Sequence, residues 1–294
     1  MHHMFRAIRR VLDEHPECKA IYPIHMNPVV RQAADEELGD CKQIHIIEPI
    51  EGRLACGDTG NGKMASEETL LQHILLHLAK EQDLKGKKLL ITAGPTQEAI
   101  DPVRFITNHS SGKMGYALAK MAVLRGAEVT LVSGPVSLQP FAGVRKIDVI
   151  SAQDMFEAVT SRSAEQDAII MCSAVADYKP ATYASQKVKK SDADLRIDLT
   201  RTLDILGCLG EHKRDGQVLV GFSMETEQLL ENSRAKLDKK NADLICANSI
   251  SSSQTGFAVD TNKVTLITRQ EVTELPLCSK EQTADLILDK ICTF

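Results

Sequence analysis

From residue 88 onward, short β-branched apolar runs alternate with longer stretches in which apolar residues recur every three or four positions. The runs at 88–92, 128–132, 145–149, 167–172, 217–221 and 243–246 read as strands. The stretches at 114–125, 152–162, 202–212 and 227–240 read as helices. Such alternation predicts an α/β fold: a Rossmann-like, largely parallel sheet with helices on both faces. Near the end the pattern changes. Residues 257–260, 263–268 and 271–275 read as short antiparallel strands around an Asp-Thr-Asn turn, and a last helix spans 280–292. Residues 1–50 give helix 5–14, strand 20–23, helix 28–38 and strand 43–47. Residues 66–82 read as an amphipathic helix with Leu70, Leu71, Ile74, Leu75 and Leu78 on one side. Three pieces follow: 1–50, 51–82 with its linker helix, and 83–294.

A length of 294 residues allows one or two domains. A hydrophobic content of 43% and a charged content of 26% are those of an ordinary soluble globular chain. The net charge of −5, without a long basic run, argues against a nucleic-acid partner. No apolar run reaches roughly 18 residues, so no membrane span is expected. The N-terminus, MHHMFRAIRR, is basic but lacks an apolar signal core. The eight cysteines stand singly with no CxxC, which disfavours a disulfide framework or structural zinc and fits a cytoplasmic location.

The chemistry gathers at the carboxyl ends of the strands. After Ile91-Thr-Ala-Gly-Pro-Thr96 comes a polar loop with Arg104, Asn108, hydroxyls and Lys113, and then an alanine-rich helix. Ligands of open α/β sheets sit on that edge, and the loop suits an anion. Lys187, Lys189 and Lys190 form a short basic run. Lys236 and Lys240, four apart on a helix, share a face, where they repel mildly unless an anion lies between them. Asp177 follows a strand of small residues that lets a ligand approach. Phe222 is placed either to stack on a flat base or to fill the core. Other signals fail on inspection. Gly57 to Met64 nearly spells a phosphate-binding P-loop, but Met64 cannot supply the magnesium-binding hydroxyl. No GxGxxG follows strand 88–92. His73 and His77 have metal-ligand spacing but no third ligand, and read as surface histidines.

The stretch ITAGPTQEAIDPVRFITNHSSGKMGYA closely resembles the phosphopantothenate–cysteine ligase half of the bacterial bifunctional coenzyme A biosynthesis proteins. The likeness continues through Ser173–Tyr178, Lys187–Lys190, Gly221–Thr226 and Lys236–Asn248, and covers roughly residues 80–294. It implies a CTP site at Asp177, Lys187, Phe222, Lys236 and Lys240. It places phosphopantothenate and the acyl intermediate at Arg104 and Asn108, with Ser111, Gly112 and Lys113 also in the substrate-binding loop. Asn108 and Lys187 are then the catalytic pair. The implied reaction joins 4′-phosphopantothenate and cysteine through an acyl-cytidylate, with CTP as co-substrate and Mg²⁺ required, in a homodimer built on the ligase domain. No side chain is assigned as a metal ligand. The sequence departs from the family at Ser223-Met224, usually Ala-Ala, and at Arg201-Thr-Leu-Asp204, usually Asn-Pro-Asp.

The first 82 residues resemble other things. MFRAIRRVLDEHPECKAIYPIHMNPVVRQAADEELGDCKQIHIIEP resembles an internal piece of UDP-N-acetylglucosamine 2-epimerase, without that enzyme's first domain or nucleotide loop. Residues 51–65 resemble the end of the flavin-dependent phosphopantothenoylcysteine decarboxylase, with Cys56 matching its proton-donating cysteine. The chain thus reads as a ligase behind a fused N-terminal segment, with no epimerase activity and no FMN expected. Three alternatives stand beside it: a nucleotide-dependent reductase, a bifunctional ligase and FMN-dependent decarboxylase, and an inactive fusion product.

Overall fold

The computed structural model describes residues 1–53, 58–78, 81–189, 195–225, 228–249 and 260–294, and the chain divides into two compact units, 1–80 and 81–294. Cys56, Lys190 and most of the strand expected at 257–260 lie outside the described residues.

The first unit runs α1 (His2–Glu14), β1 (Ala20–Pro23), α2 (Pro28–Leu38), β2 (Ile44–Ile47), β3 (Ile50–Arg53), β4 (Thr59–Lys63) and α3 (Glu67–Leu78). Asn27 caps α2 by accepting from the Val29 amide at 2.9 Å, and Pro28 presets its first turn. Phe5 and Leu12 of α1 pack with Val30, Ala33, Ala34 and Leu38 of α2 and with Ile24 and Ile44. The sheet here is only β1 paired in parallel with β2, while β3 and β4 form a separate hairpin. The amphipathic helix expected at 66–82 forms over Glu67–Leu78, but its apolar stripe is not buried: Leu71 and Leu78 are exposed. A two-stranded sheet is too narrow to cover it.

The second unit opens with β5 (Lys88–Ala93), β6 (Gln97–Ala99), β7 (Phe105–Thr107), α4 (Lys113–Leu124), β8 (Glu128–Ser133), β9 (Arg145–Asp148), α5 (Ala152–Ser163) and β10 (Ala168–Met171). It continues through β11 (Tyr178–Pro180), β12 (Leu199–Arg201), α6 (Ile205–Glu211), β13 (Val218–Glu225), α7 (Leu229–Lys239) and β14 (Leu244–Ser249). It ends with β15 (Thr261–Asn262), β16 (Val264–Ile267), β17 (Val272–Glu274), β18 (Cys278–Ser279) and α8 (Lys280–Ile291).

Eight strands make one sheet in the order β17-β16-β14-β13-β10-β5-β8-β9. The six from β14 to β9 are parallel, and β16 and β17 extend the edge antiparallel. Counted along the chain, the parallel strands lie in the doubly wound order 3-2-1-4-5-6, so the direction of winding reverses between β5 and β10. Alternate strand residues serve opposite faces. Leu90, Val132, Ile169, Leu219 and Ile245 share a core with Met155 and Val159 of α5, Ile205 and Leu209 of α6, and Leu237 of α7. The residues between them, Leu89, Ile91, Leu131, Ile170 and Val220, are equally buried. Helix α4 packs on β5 and β8 and against α8. Gly115 permits this approach: a Cβ there would lie 2.6 Å from that of Ala93. At the far end of α4, the buried Arg125 guanidinium ties Asp83 (2.9 Å) to Asp289 of α8 (2.7 Å). Three-residue hairpins β6–β7 and β11–β12 were not expected from sequence. Helix α6 starts at Ile205 rather than 202, because Asp204 caps it by accepting from the Gly207 amide at 2.9 Å.

Candidate active site

Where the winding reverses, the chain segments beyond β5 and β10 stay bonded past the sheet edge. The buried Thr92 hydroxyl donates to Ser173 Oγ at 2.8 Å and accepts from the amides of Cys172 and Ser173, both at 3.0 Å. The Ala174 amide donates to the Gly94 carbonyl (2.9 Å), and the Ala176 amide to Thr96 Oγ1 (3.0 Å). Gly94 and Gly112 have φ of 73° and 75°, a region that favours glycine, and they set the turns into and out of the polar loop. The result is a rigid ridge of small side chains with an open cavity on each flank.

The first cavity, about 440 Å³, lies over the amino end of α4 and is lined by Asn108 through Gly115, with Asn248, Asn262 and Lys280 opposite. The second, about 570 Å³, lies between the 201–206 segment and α7, where Lys236, Lys239 and Lys240 face it. Ser173, Ala174, Asp177 and Phe222 line both, so the two cavities share a wall. One offers a helix amino terminus and lysines, the other three lysines. Both therefore suit anions.

Eight of the ten residues singled out from sequence line these cavities. Asn108, Ser111, Gly112 and Lys113 line the first, Lys236 and Lys240 the second, and Asp177 and Phe222 both. The Asn108 amide donates to the Val175 carbonyl at 3.0 Å, which fixes it against the ridge. Lys113 pairs with Asp260 at 2.7 Å. Lys236 donates to the Phe222 carbonyl at 2.7 Å, and Lys240 pairs with Asp204. The mutual repulsion expected of these two lysines is thus relieved by the protein's own acceptors. Burial raises the affinity of Asp204 for protons, but the Lys240 ammonium, the Gly207 amide and the Lys239 charge together outweigh it and hold this carboxyl below its usual range.

Arg104 and Lys187 line neither cavity. Arg104 pairs with the buried Asp101 at 3.0 Å and donates to the Val188 carbonyl at 3.2 Å, while Asp101 also accepts from the Val188 amide at 3.1 Å. Arg104 and Asp101 together pin the segment carrying Lys187, whose side chain is exposed. The divergent Arg201–Asp204 stretch is equally well held: the Thr202 hydroxyl donates to the Ala176 carbonyl at 2.6 Å. Cys172 lines the first cavity, but burial pushes its thiol up to about 12, and Cys246 is likewise raised by burial. Neither is a ready nucleophile. Among the described residues, no group of three or more His, Cys, Asp or Glu side chains is placed to hold a metal. No helix among them is long and apolar enough to cross a membrane.

Sequence reasoning missed Lys239, Asn248, Asn262 and Lys280. Lys239 stood in plain view in the Lys-Leu-Asp-Lys-Lys run. Lys280 had a subtler signal: it opens the last helix, an end that disfavours cations. Asn248 Oδ1 is buried, with no hydrogen-bond partner among the described residues.

A family model described as "DNA/pantothenate metabolism flavoprotein C-terminal domain" matches residues 84–294. The chain belongs to that family. It is 49% identical over 249 residues to the coenzyme A biosynthesis bifunctional protein CoaBC of Bacillus subtilis, covering 83% of this chain and 61% of that protein. The CoaBC of Escherichia coli is 41% identical over 284 residues, covering 95% of this chain and 70% of its own length. The chain therefore spans about two thirds of these relatives. The crystal structure of a CoaBC C-terminal domain superposes with a TM-score of 0.62 at 48% identity, covering 72% of this chain and 97% of that one. An alignment covering 95% of this chain takes in most of residues 1–50. The comparisons thus carry the coenzyme A biosynthesis likeness into that segment, and the epimerase reading of it is not supported.

Proposed function

We propose that the second unit is a phosphopantothenate–cysteine ligase acting in coenzyme A biosynthesis, with CTP as the activating co-substrate. The observation that carries this reading is the pair of anion-suited cavities sharing one wall at the winding reversal. Two polyanions can lie on either side of Asp177 and Phe222 with their reacting ends together. A carboxylate is a poor acylating agent and must first be activated. In the reaction read here, the phosphopantothenate carboxylate attacks the α-phosphate of CTP and pyrophosphate leaves. The cysteine amine then attacks the mixed anhydride and CMP leaves.

The first step brings anions together, and cations must offset their repulsion. Lys236, Lys239 and Lys240, which line the second cavity, would receive the triphosphate, with Phe222 beside the base. Lys187 would reach the site from the segment that Arg104 and Asp101 hold. Mg²⁺ arriving on the nucleotide needs few protein ligands and would neutralise phosphate charge. For amine attack, a neutral donor suits the anhydride carbonyl. Asn108 meets that need, since one amide hydrogen holds the Val175 carbonyl and the other is directed by it. A cytoplasmic location and a homodimer belong to the same reading.

The test is pyrophosphate release on mixing the chain with 4′-phosphopantothenate, cysteine, Mg²⁺ and either CTP or ATP. Release with CTP only when the acid is present is expected, and its absence removes the reading. Asn108→Asp should slow CMP release more than pyrophosphate release, by about 10²–10³-fold, so that the acyl-cytidylate accumulates in a quenched single turnover.

A further inference from the structure

Asn248 stands near the carboxyl end of β14 and lines the first cavity. Its Oδ1 is buried and meets no hydrogen-bond donor among the described residues. An unmet buried acceptor carries the full cost of its lost water, which folded chains seldom tolerate without a use. The other buried side-chain nitrogen or oxygen without a partner among the described residues is Arg31 Nε, in the first unit. The orphan of the second unit therefore faces the place where ligands enter.

Strand register sets its distance from the reacting ends. Phe222 of the shared wall is the register partner of Cys246, and Asn248 lies two residues further along, opposite Met224. At about 3.3 Å per residue, that is roughly 7 Å of strand. Asn108 lines the same cavity and already spends one donor on the Val175 carbonyl, at 3.0 Å. The two amides differ in what they offer: Asn108 donates, and Asn248 presents an idle acceptor.

The other polar groups around this cavity are mainly donors. Ammonium groups, hydroxyls and the backbone amides at the amino end of α4 suit carboxylate and phosphate. An idle acceptor suits an N–H group instead. The ligation supplies one whose hydrogen bond strengthens as the reaction proceeds. When the amine of cysteine attacks, its nitrogen gains positive charge, and an acceptor on its N–H then stabilises the transition state more than the ground state.

We propose that Asn248 Oδ1 accepts a hydrogen bond from the amine of cysteine and aims the nitrogen lone pair at the anhydride carbonyl. This deepens the ligase reading and rests on it. The lone pair forms the C–N bond, and the C–O bond to CMP breaks with its electrons leaving on the phosphate. The surplus proton on nitrogen goes to water, since an amide oxygen orients a donor but is too weak a base to keep its proton. A neutral acceptor is the right choice, because a carboxylate here would favour the ammonium form, which has no lone pair to give.

Single-turnover mixing separates the two half-reactions. Wild type and Asn248→Leu are loaded with 4′-phosphopantothenate, CTP and Mg²⁺, pyrophosphate is measured, and cysteine is then added over a range of concentrations. The pyrophosphate burst should persist in Asn248→Leu, while CMP release at low cysteine should slow about tenfold or more and the KM for cysteine should rise. Asn248→Asp keeps the acceptor and the shape, so its CMP release should recover as the pH is raised, with its pH profile displaced upward from that of the wild type. Unchanged dependence on cysteine in folded Asn248→Leu overturns the proposal. Loss of the pyrophosphate burst also overturns it, and so does a higher KM for the acid alone, which would give the acceptor to the acid's own amide N–H. Should Asn248→Leu fail to fold, an undisplaced pH profile in Asn248→Asp overturns it as well. A wild type that shows no burst removes the ligase reading itself, whereas a wild-type burst with indifferent variants removes this proposal alone.

Discussion

Strands β1 and β10 have similar sequences, Ala-Ile-Tyr-Pro and Ala-Ile-Ile-Met, and both pair in parallel, yet they end in opposite surroundings. Every residue of β10 is buried, and no residue of β1 is. A parallel sheet is normally covered on both faces. Strand β10 has that cover, in the middle of an eight-stranded sheet with buried residues on both faces. Strand β1 has one partner strand and a small core supplied by α1 and α2. Apolar runs therefore announced both strands equally well. What separates them is how many neighbours the rest of the chain supplies, which no local pattern encodes.

The strongest test substitutes the same residue in both strands. Ile170 of β10 is fully buried, and Ile170→Ala should cost about 2–5 kcal/mol. Ile21 of β1 is half-buried, and Ile21→Ala should cost about 1 kcal/mol or less. Denaturant unfolding followed by circular dichroism compares them. Equal costs would mean that β1 is as well packed as β10.

The lysines of α7 extend the comparison to the site. Lys236→Ala and Lys240→Ala each remove one charged contact to a bound phosphate, worth roughly 1.5–3 kcal/mol. CTP affinity, measured by calorimetry, should fall at least about tenfold for each. Both lysines already have acceptors, Phe222 and Asp204, so stability should also fall slightly rather than rise. Unchanged CTP affinity would show that the second cavity is not the nucleotide site.

Deleting residues 1–80 asks whether the poorly covered unit matters to the chemistry. Among the described residues, those that line either cavity all belong to the second unit, so turnover and CTP affinity should hold within a few-fold. A folded 81–294 fragment without activity would make the first unit part of the machinery.

Most of the second unit was legible because its strands are β-branched runs fully buried in a sheet, such as Ile169-Ile170 and Val218–Val220. The hairpins β6–β7 and β11–β12 were not, since three residues carry no usable period. At the candidate site, residues from the ordered motifs line the cavities, among them Asn108, Asp177 and Lys240. Lys280 and Asn248 were missed because they come from elements far along the chain, and only the order of strands brings them over α4. Arg104 illustrates the converse. Its motif pointed to substrate, while its contacts show it clamping the backbone at Val188.

The smallest expected effect belongs to the first unit alone. His77, on the last turn of α3, stacks on His45 of β2 with ring centroids 3.3 Å apart and planes inclined by 12°. Burial, then the charges of His45, Lys19 and His73, push His77 down to about 4. His45 is also lowered, first by burial. An unfolded histidine titrates near 6.5. Between those two values the unfolded chain binds more protons than the folded one, so stability must fall as the pH drops from about 6.5 toward 4. Unfolding of the first unit should therefore move to lower denaturant between pH 7.5 and 5. His77→Phe keeps an aromatic ring on His45 and removes the proton, so its pH slope should be clearly shallower. The Lys19 contact survives this change because it is made to the His77 backbone carbonyl, at 3.1 Å. Identical slopes in the variant and the wild type would show that protons bind elsewhere and that this stack does not set the acid sensitivity of the unit.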